Sequence, residues 1–124
     1  MQDFKNMFAE LVELEDPTDK YEWIMDYGGG GHGVDDSDKT SINLVPGCTS
    51  RLWVVKRNDK LYCDAESMIV NGFASIICDW WNQADDTAKS QFGLTTVMSA
   101  GLASLVSQGR QNGIANLIEK IRKL

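Results

Sequence analysis

Residues 51–63 read Arg51-Leu52-Trp53-Val54-Val55-Lys56-Arg57-Asn58-Asp59-Lys60-Leu61-Tyr62-Cys63. The β-branched and aromatic run from Leu52 to Val55 favours a pleated, half-buried backbone. Asn58-Asp59 is a two-residue hairpin turn, although Gly is the preferred second residue. Lys60 to Cys63 is then the return strand. Upstream, Ile42-Asn43-Leu44-Val45 reads as a further short strand that ends at Pro46-Gly47. So few strands need helices against one face. Residues 66–81 supply the first, with Ile69, Val70, Phe73, Ile76, Ile77 and Trp80 at helical spacing. This predicts a central buried helix capped by Asp64 or Ser67. The expected fold class is α+β, a small, mostly antiparallel sheet covered on one side by helices.

The flanks extend the same pattern. Phe4, Met7, Phe8, Leu11 and Val12 predict an amphipathic helix that fades near Glu15. Asp16 as N-cap and Pro17 at the first helical position start a second helix, which Gly28 stops. Residues 28–41, with four consecutive glycines and then Asp35, Asp36 and Asp38, read as a flexible surface loop. Residues 83–91 are a short helix or a loop, and 94–106 one or two short helices. Ser107-Gln108-Gly109 reads as a break. Ile114, Leu117, Ile118, Ile121 and Leu124 form the apolar face of a last helix, with Lys120, Arg122 and Lys123 at its C-terminal end, as the helix dipole prefers. There is no internal repeat, and the 124 residues are expected to form a single domain.

Composition excludes several functions. The chain carries 12 Lys and Arg against 18 Asp and Glu, a net charge of −6 that repels phosphate backbones. General nucleic-acid binding is not expected. No apolar run approaches the roughly 20 residues of a membrane span, and Met-Gln-Asp-Phe-Lys-Asn does not read as an export signal. Three cysteines make an odd count, which fits free thiols in a reducing cytoplasm better than a disulfide framework.

Four site patterns fit poorly, two on residue types and two on spacing or setting. A phosphate loop ending Asp38-Lys39-Thr40 has Asp where the second Gly belongs. A calcium loop from Asp36 has Ser41 at the Gly position and no closing Glu. Cys48, Cys63, Cys78 and His32 would make a Cys₃His zinc set, but no spacing resembles a knuckle. Cys63 and Cys78 fit buried small hydrophobes instead. His32, the only histidine, sits in a glycine-rich segment that is a poor platform for the base of a Cys48–His32 triad.

Cys48 has a different setting. Val45-Pro46-Gly47-Cys48-Thr49-Ser50-Arg51 places it in a tight turn before a strand, with the hydroxyls of Thr49 and Ser50 beside it. An unperturbed thiol is only a few per cent thiolate near pH 7, so a nearby Arg51 would favour the nucleophilic form. A semi-buried loop cysteine is the alternative reading.

Val45 to Val54 resembles the Gly-Cys-Gln-Ser-x-(Val/Leu)-Trp motif of the SufE family. Three further segments match in order. Tyr21 to Gly28 is similar to that family's Tyr-x-x-(Ile/Leu)-x-x-x-Gly helix. Asp64 to Phe73 resembles Asp-Ser-Asp-Ala-x-Ile-Val-x-Gly-Leu, matching at Asp64, Ile69, Val70 and Gly72. Ser107 to Gly113 resembles Ser-Pro-x-Arg-x-Asn-Gly, matching at Ser107, Arg110, Asn112 and Gly113. The departures are Thr49 for Gln, Ala65 for Ser, Leu105 for His, Gln108 for Pro, and the glycine run for a Leu-Pro type segment.

The resemblance implies a SufE/NifU-like fold and a sulfur carrier without cofactor or metal, an accessory protein rather than an independent enzyme. A SufS-like, pyridoxal-phosphate-dependent cysteine desulfurase would load persulfide sulfur onto Cys48. A SufBCD-like scaffold for iron–sulfur cluster assembly would receive it. Gly47 would be a hinge. Thr49, Ser50, Arg51, Asp64 and Arg110 would position the loop or face the partner, with Asp64 alternatively a helix cap and Arg110 a solvated turn residue. Two other functions stay open: a zinc-bearing assembly scaffold, and an interaction module with an inert Cys48.

Overall fold

The computed structural model describes residues 4–29, 33–48, 50–102 and 105–124. Two positions singled out above, His32 and Thr49, lie outside the described residues, as do Gly30 and Gly31. A 3₁₀ turn, Phe4–Phe8, runs into α1, Ala9–Glu13. Then follow α2, Pro17–Gly28, the hairpin β1, Leu52–Arg57, with β2, Lys60–Ala65, and α3, Met68–Gln83. After α4, Asp86–Gln91, and α5, Leu94–Val97, comes a π-helical turn, Met98–Leu102. The last helix is α6, Gln108–Lys123. The fold is α+β, as the sequence predicts.

The hairpin forms in the expected register. Arg57 pairs with Lys60 and Leu52 with Ala65. Asn58 and Asp59 take φ of 51° and 64°, the left-handed backbone that a tight hairpin turn needs. The segment expected to be a third strand contributes one antiparallel bridge, Leu44 to Trp53. It is reinforced by Val45 N–H donating to the Leu52 carbonyl at 2.8 Å and Val54 N–H to the Asn43 carbonyl at 3.0 Å. Pro46 then ends the pairing, since it has no N–H to offer.

Helix α3 is the centre of the core. Phe73, Ala74, Ile76, Ile77 and Cys78 are each no more than 2% exposed. Ser67, not Asp64, is its N-cap, accepting from Val70 N–H at 3.3 Å. Asp64 is the penultimate residue of β2, and its carboxylate pairs with Lys39 at 3.1 Å. Asp16 caps α2 through Thr18 N–H at 2.9 Å, with Pro17 at the first helical position. Helices α2 and α3 cross where neither has a side chain. A Cβ on Gly28 would lie 2.7 Å from Gly72 N, and one on Gly72 would strike the Ile24 carbonyl. Asn71, buried beside them, donates to the Gly28 carbonyl at 2.7 Å.

Two expectations need correction. Residues 33–41 are not a free loop. A 3₁₀ turn, Asp36–Asp38, is tied down by Arg57, which pairs with Asp38 and donates to the Gly33 carbonyl. Lys39 lies 5.3 Å from the Trp53 ring, helping to cover the sheet face away from α3. Long-range ion pairs of this kind leave no signal in local composition. The break expected at 107–109 lies earlier in the chain and ends at Ser107, so Gln108 and Gly109 are helical. Ser107 is the N-cap of α6, and its carbonyl accepts from Arg110 and Gln111 N–H at 2.9 and 3.0 Å. Polar residues and two glycines hide this first turn from any periodicity count.

The close crossing yields a prediction. Gly72→Ala is expected to destabilise the protein by about 1–3 kcal/mol, because the added methyl meets fixed backbone. Gly109→Ala, where a Cβ meets nothing within 4 Å, should be neutral or stabilising by up to about 1 kcal/mol. Urea unfolding of both variants checks the contrast.

Candidate functional site

Cys48 follows Gly47, whose φ of 78° is the left-handed region that glycine alone enters freely. This turns the chain back toward α6. Asn116 of α6 donates from Nδ2 to the Pro46 carbonyl at 2.8 Å. A Cβ on Gly47 would collide with that same amide. A hydrogen bond therefore latches the loop to α6, at a position where the backbone lies bare. Nothing in local sequence flags Asn116, 70 residues from its acceptor.

The thiol points inward. A Cβ on Gly113 would lie 2.7 Å from Cys48 Sγ, so the glycine leaves room for the sulfur. The residue borders a small apolar cavity of about 20 Å³, walled by Leu52 of β1, Val70, Phe73 and Ala74 of α3, and Gly109, Gly113, Ile114 and Leu117 of α6. Arg110, the second half-buried polar feature of this wall, lies in the first turn of α6 on the same cavity. Its guanidinium has no hydrogen-bond or ion-pair partner among the described residues. Arg110 is thus a helix residue, not a turn residue, and helical spacing puts it and Gly113 on one face.

The other predicted residues separate into two groups. Gly47 and Arg110 share the site with Cys48. Ser50 adjoins it in sequence, and its hydroxyl is buried without a hydrogen-bond partner. Arg51 and Asp64 are engaged elsewhere. Arg51 is exposed and forms a two-pronged pair with Glu66, at 2.9 and 3.0 Å, and its guanidinium lies 5.6 Å from the Trp53 ring. The expected activation of the thiol by Arg51 does not occur. Burial instead pushes the Cys48 pKa above that of an ordinary thiol. In this closed arrangement Cys48 is a protonated, sheltered sulfur. Cys63 and Cys78 are buried, as expected from a strand and an apolar helix, and all three cysteines are free thiols. Among the described residues no cluster of three or more His, Cys, Asp or Glu side chains forms a metal site.

Comparison with known proteins converges on one family. A family model described as the SufE Fe–S metabolism associated domain matches residues 5–124. A SufE-like protein 1, chloroplastic/mitochondrial, of Arabidopsis thaliana is 28% identical over 92% of this chain and 33% of its own length. An uncharacterized SufE-like protein of Rhizobium etli is 22% identical over 99% of this chain and 89% of its own. A chloroplastic quinolinate synthase of Nicotiana tabacum is 26% identical over 94% of this chain but only 17% of its own length. The chain thus spans about a third of the Arabidopsis relative and most of the Rhizobium one. With the match running through every element of the fold and through the Cys48 loop, the chain belongs to the SufE family, a family associated with iron–sulfur metabolism.

Proposed function

We propose that this protein is a sulfur carrier, with Cys48 as the carrying atom's anchor. It takes persulfide sulfur from a pyridoxal-phosphate-dependent, SufS-like cysteine desulfurase and passes it to a SufBCD-like iron–sulfur assembly scaffold. The observation that carries this reading is a single thiol on a glycine-hinged loop, turned toward Gly113 of α6 beside a small apolar cavity. In the transfer, Cys48 thiolate attacks the outer sulfur of the desulfurase persulfide. A new S–S bond forms on Cys48 as the enzyme's S–S bond breaks, and the electron pair leaves on the enzyme cysteine as thiolate. No oxidant, metal or cofactor of this chain takes part.

The shelter explains how such a carrier avoids losing its cargo. A persulfide in open solution exchanges with any thiol it meets. Beside the cavity, Cys48 is half-buried, and that burial disfavours its thiolate. Loading is then eased by a swing of the loop outward, about Gly47 and against the Asn116 latch. Arg110, unpartnered at the rim, is placed to meet the docking desulfurase. Three free thiols suit a reducing compartment such as the cytoplasm. A zinc scaffold is the weaker reading, because Cys63 of β2 and Cys78 of α3 line a different pocket from the one that Cys48 borders.

After incubation with a desulfurase, pyridoxal phosphate and cysteine, peptide mass mapping should place the extra sulfur on Cys48. Cys48→Ser should fold normally and accept none; full stimulation of the desulfurase by that variant would sink the assignment. Arg110→Ala should keep its circular dichroism and melting curve while stimulating the desulfurase less.

The latch gives a separate test. Asn116→Ala should speed iodoacetamide alkylation of Cys48 by about two- to tenfold, the equivalent of a hydrogen bond worth roughly 0.5–1.5 kcal/mol. The raised thiol pKa has a sign that can be checked too. Alkylation of the native protein should rise with pH through a midpoint above that of a free cysteine, and Asn116→Ala should move this midpoint down.

A further inference from the structure

The two other cysteines line one pocket where β2 packs on α3. Cys63, on β2 opposite Val54, is 5% exposed, and Cys78 is 2% exposed. The Cys63 Sγ lies 3.7 Å from Ser75 Oγ. Cys78 is three residues beyond Ser75, on the same helix face, and it lines the same pocket as Cys63. Both residues line an open pocket of about 350 Å³, whose walls include Tyr27, Tyr62 and Asp79. The Asp79 carboxylate accepts from the Tyr27 hydroxyl at 2.7 Å.

The chemistry of such a pair is set by what surrounds it. Among the described residues no third His, Cys, Asp or Glu joins it as a metal ligand, so a tetrahedral ion such as zinc finds half of a donor set. A monovalent soft cation between two thiolates would leave a buried negative charge near Asp79, which is costly without a compensating cation. A disulfide requires the sulfurs to close to about 2.05 Å and starts from a thiolate. The Cys63 thiol, burial and the charge of Asp79 all hold Cys78 protonated. A trivalent arsenic or antimony centre meets every one of these conditions. It condenses with protonated thiols, is satisfied by two sulfurs, and leaves a neutral product.

We propose that Cys63 and Cys78 form a dithiol site for a trivalent arsenic or antimony centre, reached through the pocket they floor. With an arsine oxide, two As–S bonds form while two S–H bonds and the As–O bond break. The oxygen leaves as water with both thiol protons, and arsenic stays trivalent. The bridge fastens β2 to α3. It uses neither Cys48 nor its cavity and stands apart from sulfur transfer.

Phenylarsine oxide added to the purified Cys48→Ser protein tests this. Intact-mass measurement should show one adduct per chain, with both remaining thiols lost to a maleimide reagent. Excess 2,3-dimercaptopropanol should remove the adduct, whereas a monothiol at the same thiol concentration should not. Cys63→Ala and Cys78→Ala, each checked for native circular dichroism, should weaken binding by about 100-fold or more, as when a chelate loses one arm. No adduct on Cys48→Ser, or affinity that survives either substitution, overturns the site. If an alanine variant fails to fold, proteolysis of the Cys48→Ser adduct decides: arsenic joining the peptides of Cys63 and Cys78 upholds the proposal, and arsenic found elsewhere overturns it.

Discussion

The organising constraint is the burial of α3 on most of its circumference. Its residues from Asn71 to Ala74 are all buried, and so are Ile76, Ile77, Cys78 and Trp80. A helix surrounded this way needs a neighbour on each stripe, and each neighbour must fit the local bulk. Helix α2 approaches at Gly28 and Gly72, where the two backbones nearly touch. The hairpin packs its inward residues, Val54, Leu61 and Cys63, into the same core. Phe4, Phe8 and Phe92 gather around Trp80 near the far end, with Trp80 and Phe92 stacked at 4.7 Å. The remaining stripe, at Val70, Phe73 and Ala74, is shared with α6 and left incompletely filled. That gap is the cavity beneath Cys48.

The site is thus a by-product of packing small residues where large ones would close it. Gly113 leaves space for a sulfur, and Gly109 leaves the cavity mouth open. Sheltering has an electrostatic consequence. With Arg51 committed to Glu66, nothing offsets the desolvation of Cys48, so the resting thiol is poorly nucleophilic. Protection and reactivity are then opposed states of one loop, separated by the Pro46–Asn116 hydrogen bond and the apolar contacts of the sulfur. A net hydrogen-bond contribution of about 1 kcal/mol is small enough for partner binding to overcome.

The same helix shows how differently two thiol environments can be built from one element. Cys48 meets α3 along a stripe that α6 also touches, beside a mostly apolar wall that includes Arg110. Cys63 and Cys78 meet across β2 and α3 beside Ser75 and Asp79, where each sulfur has a polar neighbour. Their pairing depends on the hairpin register, because a shift of one residue would turn Cys63 away from the helix.

The sequence alone determined what depends on neighbours along the chain. The hairpin with its Asn58-Asp59 turn, the capped start of α2 at Asp16-Pro17, the periodicity of α3 and the prominence of Cys48 between Gly47 and the strand were all legible there. These features rest on propensity, capping and patterning, which act over a few residues. Only the tertiary structure decided the rest. Asp64 binds Lys39 instead of capping α3, Arg51 turns to Glu66 instead of the thiol, Arg110 belongs to a helix, and Asn116 holds a loop 70 residues away. A polar side chain's partner is chosen by which elements the core brings together, and that choice is set by the close fit of glycine-bearing surfaces, a property that no local pattern of residues encodes.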